Sequence, residues 1–369
     1  MVATGEPVSE DVVNGVRTVH RKTQTPQSLA GFNLGDYTLA AEDHGPYHIE
    51  LYANQGGPPN SSTALLQQTG AILDEYSRRW MPLSIHDLAV SPIEGYFGQG
   101  FPGLIYLSNV SYLSEENRPS ALRNPRLNAF FSDMLLPHEV AHQWWGNVVA
   151  SADYRASWLM EAMANYAALQ YLEAGKGSEE RDAVLAGYRA DLLNPAGGES
   201  AGPVDFGERL LNNNGPLTWD LIVYEKGAWI MHMLRQTLGD EAFEQLQKQL
   251  LVQFASKPLG NEDFRQLAAA AVSADRLDKT LVAFFDTWIY SSGIPRLALA
   301  RKPDSLELTV SGVDEDFAAD IPLRCKSANG KQTTHWVRAS SGENSLDMPP
   351  NAVSCALPAQ TDFLFGESK

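Results

Sequence analysis

The chain has 369 residues but few cysteines and few positive charges. Its two cysteines are too few for a metal site built from cysteine or for a disulfide-dense scaffold. Its 28 Lys and Arg residues stand against 45 Asp and Glu residues, which gives a formal net charge of −17. Because such an acidic chain repels phosphate backbones, nucleic acid is not expected as a general partner.

Long apolar runs are also missing. No window approaches the ~20 consecutive apolar residues of a membrane-spanning helix, so a soluble chain without a membrane span is expected. The first six residues are acidic and have no hydrophobic core, unlike a signal peptide. The sequence carries no signal for an oligomeric state.

The two cysteines, Cys325 and Cys355, lie in a C-terminal region whose pattern indicates strands. A disulfide between them would close a loop worth about 3–4 kcal/mol in the chain-entropy model. The alternative is a pair of buried free thiols, and the sequence favours the disulfide only slightly. If the disulfide forms, the compartment is oxidising, which favours an extracytoplasmic location.

The chain divides into three regions that differ in their sequence patterns. Residues 1–55 read as extended, with a hairpin around the turn Asp43–Pro46. Residues 56–293 begin after a Gly- and Pro-rich break, and from about Asn124 their pattern is overwhelmingly helical. Residues 294–369 alternate between apolar and polar and are punctuated by Gly and Pro, which is typical of a small all-β module.

The segment Pro137–His142 contains the pattern H-E-x-x-H. On a helix, His138 and His142 lie one turn apart on the same face, so both rings can bind one metal ion. Glu139 lies about 100° further round the helix, where it can take a proton from an attacking water. Catalytic zinc has three protein ligands and one open position, so one zinc ion and a third ligand are predicted.

Glu161 is the candidate for that third ligand. Eighteen residues separate it from His142, and it lies in the apolar helical run Ser157–Ala164. A lone carboxylate among such neighbours is unfavourable unless it is paired or binds a metal. A zinc ion would supply this compensation. The alternative, a helix with two unrelated histidines and a surface Glu, leaves the buried carboxylate unexplained.

These elements resemble the aminopeptidase N family of zinc metallopeptidases, peptidase family M1, which belongs to the gluzincins. His138–Asn147 reads His-Glu-Val-Ala-His-Gln-Trp-Trp-Gly-Asn, and Trp-Leu-Met-Glu ends at Glu161. Tyr224–Ala228 is similar to the family's Tyr-x-Lys-Gly-Ala element. Trp288 with Gly293-Ile294-Pro295 resembles its closing helix and exit into a β domain. The resemblance covers about residues 30 to 300, with four separated elements in the family's order.

The resemblance implies an α+β fold with a thermolysin-like, mostly helical catalytic domain flanked by β segments. Residues 1–55 are then the remnant of an N-terminal β domain, and residues 56–293 are the zinc metallopeptidase domain. Residues 294–369 are a small C-terminal β-sandwich. Family members usually place a much larger β domain before the catalytic domain, so we expect a shortened member or a fragment of a longer protein.

For the site, the resemblance implies that His138, His142 and Glu161 bind one Zn²⁺ ion. Glu139 is then the general base and proton shuttle. Tyr224 is the hydroxyl that stabilises the tetrahedral oxyanion, and the alternative for it is a core tyrosine at helical spacing. The implied activity is zinc-dependent hydrolysis of peptide substrates, most of all the removal of N-terminal residues.

The sequence departs from the family upstream of the H-E-x-x-H helix. The family carries a Gly-x-Met-Glu-Asn strand there, whose Glu holds the α-amine of the substrate. In the matching stretch Gly95–Ile105 the expected Glu falls at Gly100, and the stretch contains no carboxylate. Gly98, Gln99 and Gly100 can still bind an extended peptide through the backbone. A Gly-rich turn without a substrate role is the equally weighted alternative.

Two alternative functions stay open. Without the amine-binding carboxylate, endopeptidase-like cleavage competes with the removal of N-terminal residues. The second alternative is a non-catalytic binding protein that retains zinc. The presence of Glu139 and Tyr224 argues against it, because structural zinc needs neither a general base nor an oxyanion donor.

Overall fold

The computed structural model describes the chain except Thr25, Ser28, Gly57, Pro58, Gly215, Asp304 and Lys369, with the backbone alone for residues 59–61, 212–214, 216 and 217. Helices and strands are both abundant, so the predicted α+β class is confirmed. The chain forms two compact units, Met1–Ala150 with Ala167–Glu180 and Ser151–Tyr166 with Arg181–Lys369. The predicted three-part division stays a prediction, and its boundary near residue 56 touches two residues outside the described set.

The first unit is built around a five-stranded sheet of order β5-β6-β7-β9-β8. Its inner pairs are parallel and its two outer pairs are antiparallel. The strands of this unit are β1 (Val2–Ala3), β2 (Glu6–Val13), β3 (Val16–Lys22), β4 (Phe32–Asn33), β5 (Tyr37–His44), β6 (Tyr47–Asn54), β7 (Asp87–Ile93), β8 (Gln99–Phe101) and β9 (Leu104–Ser108). The α-helices that lie wholly in this unit are α1 (Pro59–Arg79), α2 (Pro125–Ala129) and α3 (Leu135–Ala141). A π-helical turn spans Phe130–Met134.

Strand β6 shows why this sheet forms. Its residues Tyr47, Ile49, Leu51 and Ala53 are buried, and the residues between them are more exposed. This two-residue alternation is that of a strand with one face on the core. The pairing of β5 with β6 confirms the predicted hairpin around residues 43–46. The apolar side of α1 is also buried, as its 3.6-residue pattern predicts.

The second unit is mostly helical before residue 294 and all-β after it. Its strands include β11 (Pro258–Leu259), β12 (Arg296–Arg301), β13 (Ser305–Ser311), β14 (Ala318–Ser327), β15 (Gln332–Ser340), β16 (Gly342–Asp347), β17 (Ala352–Ala356) and β18 (Gly366–Glu367), and β10 (Ala150–Ser151) lies at the boundary of the units. Its helices are α5 (Ser178–Leu192), α6 (Arg209–Asn214), α7 (Pro216–Trp219), α8 (Gly227–Leu238), α9 (Asp240–Gln253), α10 (Asn261–Ala270) and α11 (Val282–Trp288), and α4 (Trp158–Lys176) begins in this unit. Within the described ranges, no helix combines the length and apolarity needed to cross a membrane.

The C-terminal region contains two sheets, of order β16-β13-β12-β18 and β15-β14-β17. Cys325 on β14 lies directly opposite Cys355 on β17 in the antiparallel register. The two residues form a disulfide, which confirms the favoured prediction over free thiols. The sandwich arrangement of the two sheets and the thermolysin-like arrangement of the helical region stay predictions.

Replacing both cysteines by serine is expected to lower the free energy of unfolding of the C-terminal region by about 3–4 kcal/mol. The reason is that the disulfide spans 30 residues and restricts the unfolded chain. Denaturant unfolding of the oxidised protein and of the double variant measures this difference. A reductant should destabilise the wild-type protein and leave the variant unchanged, and equal stability of both proteins without reductant would contradict the prediction.

Candidate functional site

Helix α3 carries the H-E-x-x-H pattern, and all seven of its residues are buried. His138 lies within the helix and His142 caps its C-terminal end, where the His142 N–H donates to the His138 carbonyl oxygen at 3.2 Å. The Nε2 atoms of the two rings are 3.0 Å apart. The two rings therefore lie next to each other at the C-terminal part of α3.

The other ring nitrogen of His142 fixes the orientation of that side chain. Its Nδ1 lies 2.8 Å from the carbonyl oxygen of Trp145. A carbonyl oxygen can only accept, so Nδ1 carries the hydrogen in this contact and Nε2 keeps a lone pair for a metal ion. Backbone partners of this kind are what orient histidine ligands in metal sites.

Glu161 completes a group that can hold a metal ion. His138, His142 and Glu161 each offer one ligand atom, and the three atoms lie within 4.8 Å of one another. Glu161 is placed in the first turn of α4. Two imidazole nitrogens and one carboxylate oxygen are a ligand set typical of zinc, so the residues fit the metal that the sequence predicts.

Two hydrogen bonds anchor the chain on either side of the histidine pair. The hydroxyl of Tyr76 on α1 donates to the carbonyl oxygen of Pro137 at 3.1 Å. Burial raises the pKa of Tyr76 well above its usual value, so the side chain stays a neutral donor. The indole N–H of Trp144 donates to the carbonyl oxygen of Met81 at 2.8 Å. The residues on either side of the two histidines are thus anchored to the surrounding core.

The glycines upstream of the helix pack directly against it. A Cβ atom built at Gly98 would lie 2.4 Å from Oε1 of Glu139, and one built at Gly100 would lie 2.6 Å from Cβ of His142. Real Cβ atoms do not approach other atoms this closely. At Gly100 the backbone oxygen of Glu139 is also in the way, so that position excludes a side chain, whereas at Gly98 the Glu139 side chain would have to move. Gln99 lies between them on β8, the last strand of the sheet in the described part of the chain. The segment is therefore a strand beside the candidate site.

Gln143 ties this strand to the helix. Its Nε2 donates to the carbonyl oxygen of Phe101, and its Oε1 accepts from the N–H of Gly103, both at 2.9 Å. Both ends of the side-chain amide are therefore used by the β8–β9 hairpin. Gln143 directly follows His142, so the hairpin is held close to that ring.

Tyr224 lies in a π-helical turn, Asp220–Lys226. Such turns are rare and occur frequently at functional sites. The side chain is only partly buried, whereas Ile222 and Trp229 are fully buried. This difference disfavours the core-tyrosine alternative. The carbonyl oxygen of Tyr224 accepts from Nδ2 of Asn165 at 2.9 Å.

Asp220 opens the same turn and lies in the electrostatic field of Glu161. Burial raises the pKa of Asp220, and the negative charge of Glu161 raises it further. A like charge nearby disfavours the ionised form of a carboxylate. The sequence analysis did not identify Asp220, because a single Asp in a helical pattern carries no spacing signal.

An H-E-x-x-H pattern on a helix is typical of metallopeptidases. The family model "Peptidase family M1 domain" matches residues 103–288, which is half of the chain. The chain belongs to peptidase family M1 and is thereby placed among the metallopeptidase hydrolases. The family resemblance seen in the sequence is confirmed.

Three relatives show the extent of the similarity. The chain is 30% identical to Aminopeptidase N of Lactococcus lactis subsp. lactis over 308 residues, covering 80% of this chain and 34% of the relative. It is 25% identical to Endoplasmic reticulum aminopeptidase 2 of Homo sapiens over 340 residues, covering 82% and 35%. It is 27% identical to Aminopeptidase M1 of Arabidopsis thaliana over 391 residues, covering 98% and 41%. The chain therefore spans between about a third and two fifths of these relatives.

Proposed function

We propose that this chain catalyses zinc-dependent hydrolysis of peptide bonds, with removal of N-terminal residues from peptides as its main activity. The observation that carries the proposal is the convergence of His138, His142 and Glu161, whose ligand atoms lie within 4.8 Å of one another. Membership of family M1 and the aminopeptidase names of the relatives support it.

His138, His142 and Glu161 would hold one zinc ion. Two imidazoles and a carboxylate leave the open position that distinguishes catalytic from structural zinc. Zinc supplies Lewis acidity, which polarises a carbonyl group and allows water to act as a nucleophile near neutral pH. The hydrogen bond from His142 to the Trp145 carbonyl oxygen keeps that ring oriented for binding.

Glu139 and Tyr224 would handle the proton and the developing charge. Glu139 takes a proton from the attacking water and returns it to the leaving amine. Glu139 is 3% exposed, so bulk water competes little for the proton. The Tyr224 hydroxyl donates to the carbonyl oxygen as negative charge develops there, a contribution of about 3–4 kcal/mol per donor.

The β8 edge would bind the substrate backbone. An extended peptide can add to an exposed sheet edge through main-chain hydrogen bonds. Gly98 and Gly100 bring this edge against Glu139 and His142, and Gln99 is exposed between them. Tyr96 and Phe97, which precede the strand, are 64% and 57% exposed and offer apolar surface for substrate side chains.

Endopeptidase-like cleavage is the second candidate, and the packing at Gly100 favours it. Position 100 is where the family's amine-binding Glu is expected. A side chain there would overlap His142 and the Glu139 backbone, so the position has no room for a carboxylate. A free ammonium group is therefore not recognised from this position, which admits peptides that extend beyond it.

The two candidates are distinguished by a pair of peptides that differ only in N-terminal acetylation. The zinc-loaded protein should hydrolyse the peptide with the free amine faster, and a Glu139→Gln preparation serves as control for contaminating peptidases. If the acetylated peptide is hydrolysed as fast as the peptide with the free amine, the endopeptidase-like activity is favoured. Hydrolysis of neither peptide would reject the peptidase function and favour a non-catalytic zinc-bearing binding protein.

The finer fold and the compartment belong to the same proposal. The helical region is taken to have the thermolysin-like arrangement, and the two C-terminal sheets to form a β-sandwich. The Cys325–Cys355 disulfide supports an extracytoplasmic location, because disulfides persist in oxidising compartments.

A further inference from the structure

Lys226 is an unusual residue in the turn that carries Tyr224. It ends the π-helical segment and its side chain is fully buried. Its Nζ donates to Oε1 of Glu199 at 2.6 Å and to the carbonyl oxygen of Ser291 at 3.3 Å. A buried ammonium group is strongly unfavourable unless it is paired, so these contacts fix the position of the turn's last residue.

Glu199 joins three segments of the second unit. It opens the short 3-10 turn Glu199–Ala201, and it is 7% exposed. Besides the ammonium group of Lys226, its two carboxylate oxygens accept from the N–H of Gly293, each at 3.0 Å. The carboxylate therefore links the Tyr224 turn to the segment that leads into β12.

Asn165 holds the same turn from α4. It lies one helical turn after Glu161, it is 6% exposed, and its Nδ2 donates to the Tyr224 carbonyl oxygen at 2.9 Å. Helices α4 and α8 are in close contact here, because a Cβ atom at Gly227 would lie 2.9 Å from Cβ of Ala162. The helix that carries the Glu161 carboxylate and the Tyr224 turn are thus joined by a polar and a steric contact.

We propose that Asn165 and the Lys226–Glu199 pair are positioning residues that hold the Tyr224 turn in its π-helical form before substrate binds. A π-helical turn is rare in isolation, so it persists where neighbouring groups support it. The proposal rests on the proposed peptidase function, in which the Tyr224 hydroxyl stabilises the oxyanion. None of the three residues needs to contact substrate.

A double-variant cycle between Asn165→Ala and Tyr224→Phe tests this role. In the wild-type background, Asn165→Ala should lower kcat for a peptide substrate by about 10- to 100-fold with little change in KM, since a misplacement of about 1 Å has effects of this size. In the Tyr224→Phe background the same change should lower kcat by less than about threefold, because the misplaced hydroxyl is already absent. Equal factors in both backgrounds, or a change confined to KM, would overturn the proposal.

Hydrogen exchange supplies a readout that does not depend on turnover. Amides of residues 220–227 should exchange faster in Asn165→Ala and in Glu199→Gln than in the control Glu244→Gln, which breaks the half-buried Lys248–Glu244 pair on α9. If the zinc-loaded wild-type protein hydrolyses no peptide, the proposed function fails and exchange alone decides. Faster exchange in both variants then supports the structural role, and exchange equal to that of the control rejects it.

Discussion

Glu139→Gln is expected to lower kcat for peptide hydrolysis by about 10²- to 10⁴-fold, the usual contribution of a positioned general base. Glutamine keeps the shape of the side chain but cannot take a proton from water. Because Glu139 is not one of the three residues whose ligand atoms converge, the variant should bind zinc as the wild-type protein does. Steady-state kinetics and metal analysis of the same preparation measure both quantities.

The matched control is Glu42→Gln, an exposed glutamate on β5. This variant should retain wild-type kcat, which shows that a loss at position 139 is specific. A Glu139→Gln protein that keeps full activity with normal zinc content would remove Glu139 from the mechanism. A variant that has lost zinc instead would show that Glu139 supports metal binding rather than proton transfer.

Removal of zinc by a chelator is expected to lower hydrolysis by at least about a thousandfold. Lewis-acid stabilisation by a bound metal contributes several kcal/mol, and each 1.4 kcal/mol is a factor of ten in rate. Added zinc should restore the rate after the chelator is removed. Magnesium should not restore it, because that ion prefers ligand sets made of oxygen.

The same experiment on His142→Ala locates the metal. This variant should purify with little zinc and should not respond to added zinc at concentrations that saturate the wild-type protein. Loss of the metal should also lower Tm of the wild-type protein, since an ion that binds the folded state stabilises it. Full activity of the chelated protein, with no zinc detectable, would end the zinc-dependent interpretation.

The grouping of the three candidate metal ligands could be predicted from the sequence because it is largely local. His138 and His142 are four residues apart, and helical spacing alone brings their rings to one face. Glu161 is distant in sequence, but a carboxylate in an apolar helical run needs a compensating partner, and this need is visible in the pattern. The hairpin in residues 37–54 and the buried side of α1 were predictable for the same reason.

The residues around Tyr224 could not be predicted in this way. Glu199 and Lys226 are 27 positions apart, and Asn165 and Tyr224 are 59 apart. The spacing of such residues in the sequence does not show whether they form a buried contact or lie apart on the surface. The π-helical form of the turn is equally hidden, because it results from packing against neighbouring segments and not from residue propensity.

The stretch around Gly100 is an intermediate case. Its glycines supported a substrate-binding edge and a plain turn equally well, because glycine suits both. In the structure Gln99–Phe101 form a strand, and Gly98 and Gly100 pack closely against Glu139 and His142. The substrate role of the strand stays a prediction until peptides are tested.

The double hydrogen bond of Gln143 has a consequence for altering substrate preference. It ties the β8–β9 hairpin to the residue that follows His142, so in the proposed peptidase a peptide is expected to enter at a preset depth. Redesign that replaces residues 98–103 is expected to disturb the proposed metal ligands together with the proposed binding edge. Tyr96 and Phe97 precede this segment and are exposed, so we expect that substitutions there can alter a substrate preference without disturbing the helix.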